Sequence, residues 1–177
     1  MSVQRDKHTL SVRETVIFAM LGALMFGIKV AMEALPNIQP VGMMVMTFTI
    51  VYRRKALYPL YVFVLLNGLY AGFAMWWIPY LYLWTILWAV TMLLPKNMPK
   101  KISTFVYPVV CGLHGLLFGV LYAPAQAIMY GLDFKQMMAW IAAGLPFDAI
   151  HAAGNLAMGF LIIPFAKLLK EINRKII

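Results

Sequence analysis

The sequence predicts an all-α fold, a bundle of six transmembrane helices with both termini in the cytoplasm. Hydrophobic residues make up 63% of the 177 residues and charged residues 12%, and the mean hydropathy is +0.81. A water-soluble domain of this size needs more polar side chains to cover its surface, so that class is excluded. Near-uncharged apolar stretches recur at close to the ~20 residues that a helix needs to cross a bilayer.

We expect a single integral-membrane domain over residues 1–177. The first apolar stretch runs well beyond a signal-peptide core and is expected to be a retained span. The second is short, begins at Pro36 or Pro40, and stops at a basic run after Tyr52. Pro146 suits the first turn of the last helix, while 133–145 is either an amphipathic outer segment or an extension of that helix. The predicted spans are 14–35, 36–52, 57–75, 78–94, 103–130 and 146–168.

The distribution of basic residues predicts the orientation, because cytoplasmic ends of membrane helices accumulate Lys and Arg. With six spans and both termini inside, 13 of the 15 basic residues fall on the cytoplasmic side, and only Lys29 and Lys135 fall elsewhere. The net charge of +9 is therefore interpreted as a topology signal. We expect a multi-pass protein of the cell membrane that contacts lipid and does not bind nucleic acid.

Lys29 and Glu33 are ionisable residues near the outer end of the first span, where charged groups are costly unless they face a protein interior or water. Their i, i+4 spacing places both on one face of a helix. They are candidates for substrate binding, and the alternative is that both extend to the outer interface.

A sharper polar pattern lies in the last span, where Asp148, His151 and Asn155 follow i, i+3, i+7 spacing and share one helical face. A lipid-facing stripe of this kind would expose three polar groups to hydrocarbon. We therefore expect an inward stripe that lines an outward-opening cavity, with a ligand-free helix–helix hydrogen-bond network as the alternative. Other polar residues that could complete the lining are Asn67, Tyr70, His114, Tyr122 and Gln126.

Aromatic residues are concentrated where the third and fourth spans meet outside. An interfacial aromatic belt is one explanation, and rings that stack on an organic ligand are the other. The candidates for such stacking are Trp76, Trp77, Tyr80 and Trp84. Neither the single cysteine, Cys111, nor the many methionines follow a metal-ligand spacing, so we expect no metal and no cofactor.

Small residues form a smooth ridge on the first span, where Ala19, Ala23, Gly27 and Ala31 repeat every four residues. Such ridges allow close helix packing in lipid. A second ridge occurs in the fifth span: Gly115, Gly119, Ala123 and Ala127. We expect one ridge to pack internally and the other to contact a partner subunit.

Motifs for familiar catalysis are missing from the sequence. It has no GxxxxGK[ST] phosphate loop, no HExxH helix and no GxSxG elbow. The chain is therefore not expected to be an enzyme, and any ATP must be handled by another subunit.

The chain resembles the substrate-binding S components of energy-coupling factor transporters, which are six-helix vitamin receptors with cytoplasmic termini. The most suggestive stretches are 34–57, 75–101 and 143–159, and Ala19 with Ala23 are similar to the family's AxxxA element. The resemblance implies ATP-driven vitamin import with a membrane-embedded coupling subunit, contacted through Ala19, Ala23 and Gly27, and two ATPase subunits. It also implies an outward pocket capped by three loops, which here correspond to 37–39, with Asn37 and Gln39, then 76–79 and 131–136.

Abundant aromatics and methionines would suit a large ligand with flat parts, and a bulky vitamin such as cobalamin is favoured on this ground. Two other functions remain open. One is a self-sufficient small secondary transporter or channel in which Lys29, Glu33, Asp148 and His151 conduct an ion or proton. The other is a membrane enzyme that uses His114, His151 and Asp148.

Overall fold

The computed structural model describes residues 10–35 and 38–176, and every regular element in these ranges is helical. The predicted all-α fold is confirmed. Two 3₁₀ turns, Arg53–Ala56 and Met75–Trp77, precede the third and fourth helices. The helices are α1 (Val12–Ala31), α2 (Val41–Tyr52), α3 (Leu57–Ala71), α4 (Tyr80–Leu93), α5 (Lys100–Leu116), α6 (Phe118–Tyr130), α7 (Phe134–Gly159) and α8 (Ile162–Ile176).

Several of these helices have the length and apolar composition of membrane spans. Three segments meet both criteria: Val12–Ala31, Met75–Leu93 and Lys100–Tyr130. A fourth candidate span is the pair Phe134–Gly159 and Ile162–Lys175, if these two helices, bent by 49°, count as one span. Since α5 continues into α6 and α7 into α8, the eight helices of the described residues form six rods. The helices α2 and α3 are shorter than a full span, with 12 and 15 residues.

The rods alternate in direction, so their ends gather on two sides of the bundle. On one side, Lys55 binds Glu14 at 2.5 Å, Tyr52 donates a hydrogen bond to Asn173, and Arg53 donates one to the carbonyl of Met92. These contacts bring together the start of α1, the end of α2, the end of α4 and α8. We call this side the basic end, and the side that holds the α3–α4 and α6–α7 connections the opposite end.

Helix α2 is the centre of the bundle. All nine residues from Val41 to Thr49 are buried, as expected for a helix that is apolar on every face. At 1.5 Å per residue its 12 residues extend only about 18 Å. It ends at the basic end, so its first turn lies within the bundle rather than at the opposite surface. A short helix is present where the short second span was predicted, with Pro40 as its N-cap residue.

The fifth rod is broken into α5 and α6 at Leu117, which the predicted continuous span 103–130 did not anticipate. The break leaves the first N–H groups of α6 without partners in their own helix. Asp148 of α7 is the partner of one of these N–H groups, because both of its carboxylate oxygens lie 3.2 Å from the backbone N of Gly119.

The sixth rod begins at Phe134, so the expectation that the last span starts at Pro146 was wrong. Asp133 and Gln136 form a capping box, with reciprocal hydrogen bonds of 2.7 and 2.9 Å, and this starts the helix twelve residues earlier. Pro146 lies inside α7. The segment 133–145 is thus an extension of the last helix, and Gly131, at φ +65°, makes the tight turn before it.

The small-residue ridges have different surroundings. Gly115, Gly119 and Ala123 are buried, whereas Ala19, Ala23, Gly27 and Ala31 are exposed. A Cβ at Gly115 would lie 2.8 Å from the carbonyl oxygen of His151, so the α5 and α7 backbones approach closely there. The α1 ridge, in contrast, faces away from the bundle.

Candidate ligand site

A group of rings fills the space between α4, α5, α6 and α7. The Trp84 ring centroid lies 5.6 Å from that of His114 and 5.7 Å from that of Phe118, and Phe118 lies 4.9 Å from His151. Both Trp84 and His114 are buried. We call these four side chains the ring cluster; they come from three separate parts of the sequence, because α5 and α6 are consecutive.

More rings extend the ring cluster toward the opposite end. The Tyr80 centroid lies between two tryptophans, 6.1 Å from Trp84 and 5.4 Å from Trp76, at nearly perpendicular angles. Tyr122 stacks on Trp140 at 5.8 Å and donates a hydrogen bond to the Trp76 carbonyl at 3.2 Å. Helices α4, α6 and α7 are therefore joined by aromatic contacts near the surface of the opposite end.

Three buried polar atoms at this site have no hydrogen-bond partner among the described residues: Trp84 Nε1, His114 Nδ1 and Asn155 Nδ2. The Leu83 carbonyl lies 3.1 Å from His114 Nε2 and can only accept, so in the neutral ring Nε2 carries the proton and Nδ1 is an acceptor. The site thus offers two donors and one acceptor to a ligand. Buried polar atoms without partners are rare in native proteins and call for an explanation.

The first turn of α2 lies beside Asn155. A Cβ at Gly42 would be 3.4 Å from Asn155 Nδ2 and 3.2 Å from Cys111 Sγ, so a glycine at this position lets the three residues pack together. No side chain of the described residues caps α2 at Pro40. The first N–H groups of a helix are free of intrahelical partners and carry partial positive charge. The site therefore has a positive helix end at the depth of Asn155.

On the predicted polar stripe of α7, Asp148 and Asn155 are buried and His151 is half-buried. The stripe faces α5 and α6. Asp148 is occupied in capping α6, whereas His151 packs on Phe118 and Asn155 retains an unpartnered amide. The stripe thus combines a structural residue with two residues that could contact a ligand.

Other predicted site residues are engaged elsewhere. Asn67 donates to the carbonyl of Phe63 in its own helix at 2.8 Å, and Trp77 donates to that of Val64. Tyr70 is exposed and packs edge to face on Phe26. These bonds direct the Trp77 ring N–H and one amide proton of Asn67 to backbone carbonyls of α3.

Two of the remaining candidates, Lys29 and Glu33, lie at the end of α1. Lys29 and Glu33 form an ion pair at 2.6 Å, and Glu33 follows the end of α1. Gln39 and Gln126 are half-buried. Asn37 lies outside the described residues. The partner-contact candidates Ala19, Ala23 and Gly27 are exposed on α1.

Two members of the site, Phe118 and Trp140, were not among the predicted residues. Phe118 follows His114 by four residues, the spacing at which helical side chains share a face, so this signal was available in the sequence. Trp140 was missed because it belongs to the segment 133–145, whose structure the sequence left open. No group of three or more His, Cys, Asp or Glu side chains suited to a metal occurs in the described part of the chain.

Comparisons of the chain with protein-family models, with curated proteins and with solved structures give no significant match.

Proposed function

We propose that this protein is a membrane-embedded receptor for a vitamin-sized molecule, the substrate-binding S component of an energy-coupling factor importer. It takes its ligand from outside the cell at the opposite end and releases it inside with a coupling subunit and two ATPase subunits. On this proposal the basic end and both termini are cytoplasmic, and the chain is a multi-pass protein of the cell membrane.

The observation that carries the proposal is the set of unpartnered polar atoms beside the ring cluster. Trp84 and Asn155 are only 3% and 1% exposed, yet Nε1 of one and Nδ2 of the other have no acceptor among the described residues. Leaving such a group unsatisfied costs about 1–3 kcal/mol. A ligand with hydrogen-bonding groups on a flat ring would satisfy both donors and stack on the rings.

Two further features support the same function. The short α2 places a positively polarised helix end inside the bundle, an arrangement that suits a polar or anionic group of a substrate. The exposed small-residue ridge of α1 offers a smooth surface to a coupling subunit. Neither feature involves ATP, which on this proposal binds only to the ATPase subunits.

The close packing of the ring cluster favours a small substrate. Since these rings pack directly on one another, any ligand must separate them, and a single flat heteroaromatic ring requires a much smaller separation than a ligand as large as cobalamin. We therefore propose a vitamin with a flat heteroaromatic ring and keep cobalamin, the bulky candidate, in the test. The alternative of an autonomous ion or proton pathway is less well supported, because Lys29 pairs with Glu33 and Asp148 caps α6.

The first experiment is mass spectrometry of small molecules retained by the gently purified protein, followed by calorimetry with a vitamin panel. Trp84→Phe keeps an aromatic ring and removes the unpartnered N–H, so it should weaken ligand binding about tenfold, the worth of one hydrogen bond. Because Trp84 is buried, the smaller side chain should also lower stability. Trp88→Phe is the matched control, since Trp88 Nε1 donates to the Arg53 carbonyl at the basic end. It should lower stability and leave binding unchanged.

Absence of binding across the whole panel would refute the receptor. Equal binding by wild type and Trp84→Phe would show that the ring cluster is not the ligand site. Substrate transport by this chain alone in liposomes, without ATPase subunits, would select the autonomous transporter instead.

A further inference from the structure

A cavity of about 310 Å³ lies at the basic end. Thr91 and Tyr107 of its lining are each about two helical turns from Trp84 and His114 of the ring cluster. This volume is at the lower end of the range of small-molecule pockets, roughly 300–1,000 Å³. Its polar lining comes from α4, α5, α8 and the turns beside them: Arg53, Thr91, Lys96, Asn97, Tyr107 and Lys170. Three of the six side chains are cations and none is an acid.

Arg53 is held by one hydrogen bond of its side chain and one of its backbone. Its Nη2 donates to the Met92 carbonyl at 2.9 Å, and Trp88 donates to the Arg53 carbonyl at 3.1 Å. Arg53 Nε is buried and has no partner among the described residues. The guanidinium is thus fixed beside the cavity that Arg53 lines.

The backbone of Arg53 is also unusual. Its φ of +55° is the only positive value at a non-glycine residue in the described ranges. A glycine would adopt this conformation without strain, and strained residues are concentrated at binding and active sites. A binding role of the guanidinium would explain why an arginine, and not a glycine, ends α2 in this strained conformation.

We propose that this cavity is a binding site for a phosphate group, held by Arg53, Lys96 and Lys170 with hydrogen bonds from the neighbouring polar side chains. Arginine presents several N–H donors in a fork that matches phosphate oxygens, and lysines add charge. Lys96 and Lys170 are exposed, so the site can be reached from the water or from the headgroup layer. The phosphate comes from an anionic lipid headgroup or from a soluble phosphate compound. The site does not depend on the ligand proposed for the opposite end.

The test compares two double variants of equal charge. Lys96→Ala with Lys170→Ala removes two cations of the cavity, and Lys100→Ala with Lys167→Ala removes two exposed cations outside its lining. All four positions are exposed, so both variants should fold. Native mass spectrometry would count retained phosphatidylglycerol against phosphatidylcholine in mixed nanodiscs, and thermal scans in neutral detergent would measure stabilisation by inorganic phosphate.

We expect the cavity variant to lose affinity by about tenfold or more, because Lys96 and Lys170 line the cavity and would bind the phosphate oxygens directly. The control should lose much less, because Lys100 and Lys167 lie outside the lining and contribute only to the general charge of this end. Loss confined to phosphatidylglycerol would identify a lipid headgroup, and loss of stabilisation by inorganic phosphate would identify a soluble compound. Arg53→Lys should weaken binding while the charge is kept, since the fork is lost. Equal effects of the two double variants, or no binding of either probe by wild type, would overturn the proposal.

Discussion

The contact between α5 and α7 gives a prediction that can be worked through in numbers. In Gly115→Ala the new Cβ would lie 2.8 Å from the His151 carbonyl oxygen, 2.9 Å from its carbon and 2.8 Å from Asn155 Nδ2. Ordinary contact begins at 3.4 Å, so the two helices must separate by roughly 0.6 Å where they are otherwise close-packed. Overpacking of this kind costs about 1–3 kcal/mol.

Gly27→Ala is the matched control, because a Cβ at Gly27 meets no atom within 4 Å. Both variants gain about 1 kcal/mol of helix propensity from the same change. The difference between their unfolding free energies therefore isolates the packing term, and Gly115→Ala should be the less stable by about 1–3 kcal/mol. Reversible unfolding in mixed micelles with increasing dodecyl sulfate measures this difference.

The same variant should also weaken ligand binding, since it moves His151 and Asn155 away from α5. If Gly115→Ala proves as stable as Gly27→Ala, the close approach of α5 and α7 is not present in the membrane. The assignment of Asn155 to an interior site would then lose its structural basis.

Three more outcomes are expected. Ala23→Trp on the exposed α1 ridge should lower transport about tenfold by crowding the proposed coupling subunit, while ligand binding is kept. Ile128→Trp, at an 84% exposed position of α6, should change neither. Loss of binding in Ala23→Trp would contradict the proposed role of the ridge. Asp148→Ala should lose about 1–3 kcal/mol of stability because α6 loses its cap, and Asp148→Asn should lose less because an acceptor oxygen remains; equal losses would argue against capping. A membrane-impermeant maleimide should label Lys135→Cys from outside intact cells and Lys101→Cys only after permeabilisation. The native cysteine, Cys111, is buried and should not add background labelling. The reverse labelling pattern would show that the proposed topology is inverted.

Much of the fold could be predicted because lipid imposes simple rules on sequence. Apolar runs of near-constant length separated by basic breaks predicted the rods, and the brevity of α2 was visible in the distance between Pro40 and the basic run at Arg53. The start of the last rod was misplaced at Pro146, because proline is common in first helical turns. The stronger signal was the pair Asp133 and Gln136, whose reciprocal caps start α7.

The site was only partly predictable, for a different reason. Helical spacing correctly grouped residues on one face of one helix, as with the stripe that contains His151 and Asn155. It could not show which faces of different helices meet. The break at Leu117 provides an example. Only the structure reveals that the break frees the Gly119 N–H, which donates to Asp148. This bond gives Asp148 a structural role that its neighbours on the stripe do not have.

The brevity of α2 has a consequence for biogenesis. An apolar segment of 12 residues falls short of the ~20 that the insertion machinery recognises as an independent span. We expect α2 to enter the bilayer only together with α3, to which a single 3₁₀ turn joins it. A nascent chain halted between the two would leave its methionine-rich stretch outside the hydrocarbon layer, where chaperones and proteases could act on it.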